Sequence, residues 1–126
     1  MKLPDNVKYT QDHEWVLVDG DVATVGITDF AQGELGDIVF VEIETEGESL
    51  DKGEIFGTVE AVKTVSDLFM PLSGEVIEVN EKLSDNPEVL NNDPYGDGWM
   101  IKIKIANEAE LNDLLSPDEY QKMLEA

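Results

Sequence analysis

The chain has no cysteine and no arginine, and its one histidine is His13. Without cysteine, disulfides, thiolate nucleophiles and cysteine metal sites are excluded, so any thiol redox chemistry must come from an attached group. One histidine rules out histidine-rich metal centres. A Ser-His-Asp triad could form only around His13, and no G-x-S-x-G stretch is present. Both glycine-rich phosphate-loop patterns are missing. The acid-rich stretches "DGDVATVGITD" and "DNPEVLNNDPYGDGW" lack Ca²⁺-loop spacing, and the second has no bidentate glutamate in the required place. No apolar run approaches the ~20 residues that span a bilayer. The opening "MKLPDNVKYT" has neither a signal-peptide apolar region nor an Arg-rich transit pattern. The expectation is a soluble intracellular protein, cytoplasmic in a prokaryote, or a mature form in the mitochondrial matrix.

What remains is an acidic chain of ordinary apolar content. Its 126 residues suffice for one compact domain, and 41% apolar residues argue against disorder. Twenty-nine acidic residues against 8 lysines give a net charge of −21. Such a surface repels phosphate backbones and acidic lipid, which argues against nucleic-acid and membrane partners. It suits encounters with basic patches on other proteins.

Most of the sequence reads as short strands between turn residues. "EWVLV" (14–18) and "VATVGI" (22–27) flank the hairpin signal "DGD". "TDFAQGELG" (28–36) predicts a short helix capped by Thr28 or Asp29 and stopped by Gly36. Strands are expected over 37–44, 55–61, 65–70, 75–81 and 99–105, with turns at 47–53 and 71–74. The tail predicts two helices, 107–115 and 116–126. Asn107 with Glu110, and Ser116 with Glu119, have capping-box spacing. A single domain is expected over 1–126, with a core at 14–105 and a helical segment at 107–126. "GDIVFVEI" (36–43) and "GEVIEVNE" (74–81) echo each other, which would fit two small sheets related by a quasi-two-fold.

Between two of these strands lies "AVKTV", a tight hairpin whose tip projects Lys63. A lysine amine in water is protonated and a poor nucleophile, so this side chain is no catalyst of its own. It suits an amide-linked prosthetic group added by another enzyme.

"VEAVKTVSD" followed by "PLSGEVIEVN" resembles the lipoylation segment of the glycine cleavage system H protein family. "HEWV", "VGITDFAQ", "LGDIVFVE", "PYGDGWMIKI" and "LLSPDEYQKML" agree with that family in order and spacing, over nearly the whole chain. The resemblance implies a mainly β fold: a flattened barrel or sandwich of two small antiparallel sheets, a lipoyl/biotinyl-type hybrid, with short helices, two of them at the C-terminus. It implies lipoate in amide linkage to Lys63, with Glu60 and Gly74 read by the lipoyl transferase or ligase. One departure is Ala61 where the family commonly has Ser. That leaves a biotin carrier domain as an alternative, although Val62 and Thr64 stand where biotin carriers place Met. A lipoyl-bearing paralogue in lipoate relay or sulfur oxidation is a further alternative.

The function so implied is non-catalytic. A glycine decarboxylase using pyridoxal phosphate would pass an aminomethyl group to the carrier. An aminomethyltransferase would move it to tetrahydrofolate, and dihydrolipoyl dehydrogenase would reoxidise the arm. In the family the loaded arm folds into a cleft on its own carrier. Glu14 and Asp67 are expected to line that cleft, with Asp12 and Glu34 as lesser contributors, while His13 is expected to be structural.

Overall fold

In the computed structural model, residues 2–125 are described. Nine strands form two antiparallel sheets. The larger has six strands in the order β1 (Lys8–Tyr9), β2 (Glu14–Asp19), β3 (Val22–Ile27), β9 (Ile101–Ile105), β8 (Gly74–Val79) and β5 (Ser49–Leu50). The smaller has three: β4 (Ile38–Glu42), β6 (Ile55–Ala61) and β7 (Val65–Phe69). They pack as a flattened sandwich that does not close. The echoing segments lie one in each sheet, as β4 and β8.

Alternation drives this arrangement. Val16, Ala23, Val25, Ile101, Ile103 and Val76 point inward from the large sheet and meet Ile38, Val41, Phe56, Val59 and Leu68 from the small one. All are buried; on the small sheet the intervening residues Phe40 and Glu60 face water, whereas Trp15 and Gly26 on the outer face of the large sheet are buried as well. Removing that apolar surface from water supplies the main stabilising term.

The outer face of the large sheet is covered by the tail. Tyr9, Trp15 and Tyr120 form a second apolar cluster, with Leu115, Met123 and Leu124 against it. Trp15 lies across Gly26, its Cα partner in β3, where a side chain would strike the indole. Its Nε1–H donates to the Pro94 carbonyl at 2.8 Å.

Four helices complete the described chain: α1 (Asp29–Leu35), α2 (Lys82–Asp85), α3 (Val89–Asn92) and α4 (Pro117–Glu125). Thr28 is the cap of α1, its hydroxyl accepting from Ala31 N–H at 3.2 Å. Gly36 ends the helix at φ 79°, a left-handed conformation that glycine adopts without penalty. The capping box at Ser116 forms in both directions, Ser116 N–H to Glu119 at 2.9 Å and Glu119 N–H to Ser116 at 3.1 Å.

The segment expected as a helix over 107–115 is instead a 3₁₀ helix, Glu108–Asp113. Its capping box does not form, because Glu110 turns to Ser73 and accepts from both the backbone N–H (2.7 Å) and the hydroxyl (2.9 Å). Asn107 caps the turn alone, accepting from Ala109 N–H.

Candidate functional site: a lysine hairpin and an acidic cleft

The β6–β7 hairpin has a two-residue tip, Val62 and Lys63. Ala61 N–H donates to the Thr64 carbonyl at 2.7 Å and closes it. Val62 N–H donates to the Asp37 carbonyl at 3.0 Å, so the segment ahead of β4 braces the tip from behind. Lys63 is exposed, and among the described residues it has no ion-pair partner. Its aliphatic stem passes Gly36, where an added Cβ would lie 3.4 Å from Lys63 Cε. Gly36 therefore serves the helix end, with the lysine stem within ordinary van der Waals reach of it.

A cleft of ≈ 520 Å³ runs along α1 as far as Leu35, the residue before Gly36; Lys63 stands just beyond its lining. One wall is α1, through Phe30, Ala31, Glu34 and Leu35; the other is β7, Ser66–Phe69, and 11–14 close the far end. Lys63 stands by the C-terminal end of α1. His13 and Glu14 stand by its N-terminal end, where Thr28 N–H donates to the His13 carbonyl at 3.0 Å. Seven helical residues make the distance between these ends about 10 Å.

Four carboxylates line the cleft: Asp12, Glu14, Glu34 and Asp67. Three are exposed. Glu14 is 3% exposed, with Oε1 accepting from the Thr10 hydroxyl at 3.3 Å and Oε2 without any hydrogen-bond partner. Burial, and secondarily the Asp12 charge, push the Glu14 carboxyl well above the usual carboxylate range, and the Thr10 hydroxyl offsets this only in part. A buried carboxyl oxygen without a hydrogen-bond partner is uncommon and costly.

The residue before it is unusual as well. His13 has φ 65°, the one non-glycine in the left-handed region among the described residues. Its ring packs on Phe30, with centroids 4.7 Å apart. Nδ1 lies 2.8 Å from the Tyr120 hydroxyl, which lies 2.8 Å from the Thr28 hydroxyl. Burial holds the His13 imidazole below its ordinary value, against the pull of Asp12 and Glu34. Burial also raises the Tyr120 phenol, so the hydroxyl keeps its proton. One hydroxyl from α4 thus ties together the cap of α1 and the loop that closes the cleft.

The family model described as glycine cleavage H-protein matches residues 7–126. The chain belongs to this family. A glycine cleavage system H protein of Bacteroides fragilis is 60% identical over 126 residues, covering both chains fully. One from Carboxydothermus hydrogenoformans is 54% identical, over 98% of this chain and 95% of its own. Among solved structures, a glycine cleavage system H protein from Mycobacterium marinum superposes with a TM-score of 0.87 at 40% identity, covering 98% of this chain and 99% of that one.

The geometry of this family member brings together Glu14 and Asp67, with Asp12 and Glu34, in the cleft that Lys63 overlooks. It does not bring Glu60 or Gly74 there. Glu60 lies on the outer face of the small sheet, opposite Phe40 and Val65. Gly74 lies in the other sheet, paired with Ile105 and Leu50, where any Cβ would fall on the Lys104 carbonyl oxygen. Close packing of strands therefore accounts for Gly74 locally. Thr28 caps α1 as its sequence position suggests, but sequence reasoning missed its contact with the Tyr120 hydroxyl and the place of Tyr120 and Phe30 around the cleft. No spacing in the sequence signals a hydroxyl contact between residues 107 positions apart, His13 and Tyr120.

Proposed function

We propose that the chain is the lipoyl carrier of the glycine cleavage system, a subunit without catalysis of its own, with lipoate in amide linkage to Lys63. The observation that carries this reading is the exposed Lys63 hairpin at one end of a cleft whose other end holds an unpartnered buried carboxylate. Family membership supports it. The residues present fit the group: the tip leaves Nζ open, and the cleft has apolar walls and length for a flexible arm. When bound, lipoate would supply the disulfide and dithiol chemistry that a cysteine-free chain lacks.

The chain's own residues hold and shelter. Val62 and Ala61, fixed by their backbone hydrogen bonds, keep the anchor point in place. Phe30, Leu35 and Phe69 line the cleft and exclude water from its walls. Glu14 accepts the positive charge of an amine at the far end, and the pairing returns its carboxyl to the ionised form. Asp67, Asp12 and Glu34 add a negative field that favours the same cation. Glu60 is read by the lipoyl transferase or ligase, and Gly74 acts through the strand packing it permits. The partners are a glycine decarboxylase, an aminomethyltransferase and dihydrolipoyl dehydrogenase.

A reconstituted glycine cleavage assay tests this. Lys63→Arg keeps the charge but offers no acylation site, so CO₂ release from glycine should fall to background. Activity near that of the unsubstituted chain would refute the reading.

A further inference from the structure

The outer face of the small sheet carries apolar side chains at the corner that holds Lys63. Phe40, Glu60 and Val65 form one row, Phe40 opposite Glu60 and Glu60 opposite Val65. Residues directly opposite one another share a face. Phe40 is 49% exposed, Val65 63% and Val62, at the tip, 76%. A bulge in β4 sets this up. Ile38 lies opposite Ala61 and Phe40 opposite Glu60, so Val39 is an extra residue. In an unbroken strand, side chains 38 and 40 would share a face; here Ile38 is buried and Phe40 points out. Among the described residues, Val39, Phe40, Val62 and Val65 are four of the eight exposed large apolar side chains. A chain of net charge −21 thus concentrates exposed apolar surface around one lysine.

We propose that the Phe40–Glu60–Val65 row is the docking surface for the enzyme that acylates Lys63, a partner presenting a cationic side chain flanked by apolar ones. The proposal rests on Lys63 being the acylation site. The occupant follows from where the bond is made. A lipoyl group activated as an acyl adenylate or a thioester loses the nucleoside monophosphate or the thiolate, which departs with the electron pair, as the acyl carbon bonds to Nζ; the ammonium gives up two protons overall. An enzyme that does this must bring its acyl group to a short hairpin tip and so lie against the residues beside it. Enzymes that act at the far end of an attached arm stand off by its length. The adjoining row on the same face, Glu42–Thr58–Asp67, adds the Glu42 carboxylate and, at the edge this face shares with the cleft, that of Asp67, which favours a partner with a basic surface.

The test follows acylation of the unmodified full chain by intact mass, using lipoate, ATP and a purified lipoate ligase. In the double variant Phe40→Ser/Val65→Ser, kcat/KM for acylation should fall about 10-fold or more, the scale for truncating central interface side chains. Glu60→Gln should lower it as well. Ile77→Ser, an exposed apolar change on the large sheet, should stay within about twofold. Each variant, driven to complete lipoylation, should still support CO₂ release by glycine decarboxylase. Unchanged acylation in the double variant overturns the proposal. So does an equal loss in the decarboxylase assay, which would assign the face to another enzyme. Failure of the unsubstituted chain to gain a lipoyl group on Lys63 would instead remove the carrier reading itself, and this surface with it.

Discussion

Glu14 and Tyr120 show how single residues set the cleft. The Glu14 carboxyl is raised by burial, so the folded protein keeps its proton where the unfolded chain has released it. Its contribution to stability is therefore fully present below the ordinary glutamate value of 4.5 and is lost as pH rises towards the folded value. Glu14→Gln should flatten the fall in stability above that pH, measured by urea unfolding between pH 5 and 8; an unchanged slope would contradict this. Tyr120→Phe removes a hydroxyl and leaves His13 Nδ1 and Thr28 Oγ1 short of a partner. The expected loss is about 1–3 kcal/mol in urea unfolding. The ¹⁵N shifts of His13 should also report a changed tautomer, which a loss of packing alone would not produce.

At the level of elements, α1 joins the anchor to the acidic end of the cleft, and its two glycines should respond in opposite senses. Gly33 has open space around it, so Gly33→Ala should stabilise by about 0.5–1 kcal/mol. Gly36→Ala places a side chain at φ 79°, ψ −154°, a region essentially confined to glycine, and should destabilise by about 1–3 kcal/mol. Thermal unfolding of the two variants checks both signs. The strands of the hairpins were legible because alternation over five or more residues leaves a period to read. The two-residue strands β1 and β5 and the one-turn helices α2 and α3 are shorter than any period, so no pattern announced them. The tail over 107–115 carries a capping signature, but the pull of Ser73 on Glu110 is a tertiary contact that local spacing does not contain. The bulge that turns Phe40 outward was invisible for the same reason. The acidic cleft residues were reached through family resemblance, and not through any spacing among Asp12, Glu14, Glu34 and Asp67.

Across the whole molecule, charge is the dominant feature. With 29 acids against 8 lysines, the folded state repels itself, and salt should screen that repulsion. The urea midpoint should rise between about 0.01 M and 0.1 M NaCl, as the screening length drops from about 30 Å to about 10 Å; a flat response would show that the charges are already balanced locally. The same field leaves Lys63 conspicuous, a lone cation at an apolar corner of an acidic surface. The central claim is that this lysine holds the group that does the chemistry. Its most direct test is intact mass and peptide mapping of the full chain after incubation with lipoate, ATP and a lipoate ligase. The account predicts one lipoyl adduct, on the peptide that contains Lys63, and none in Lys63→Ala. No adduct, an adduct on another lysine, or biotinylation of Lys63 by a biotin ligase in its place would contradict it.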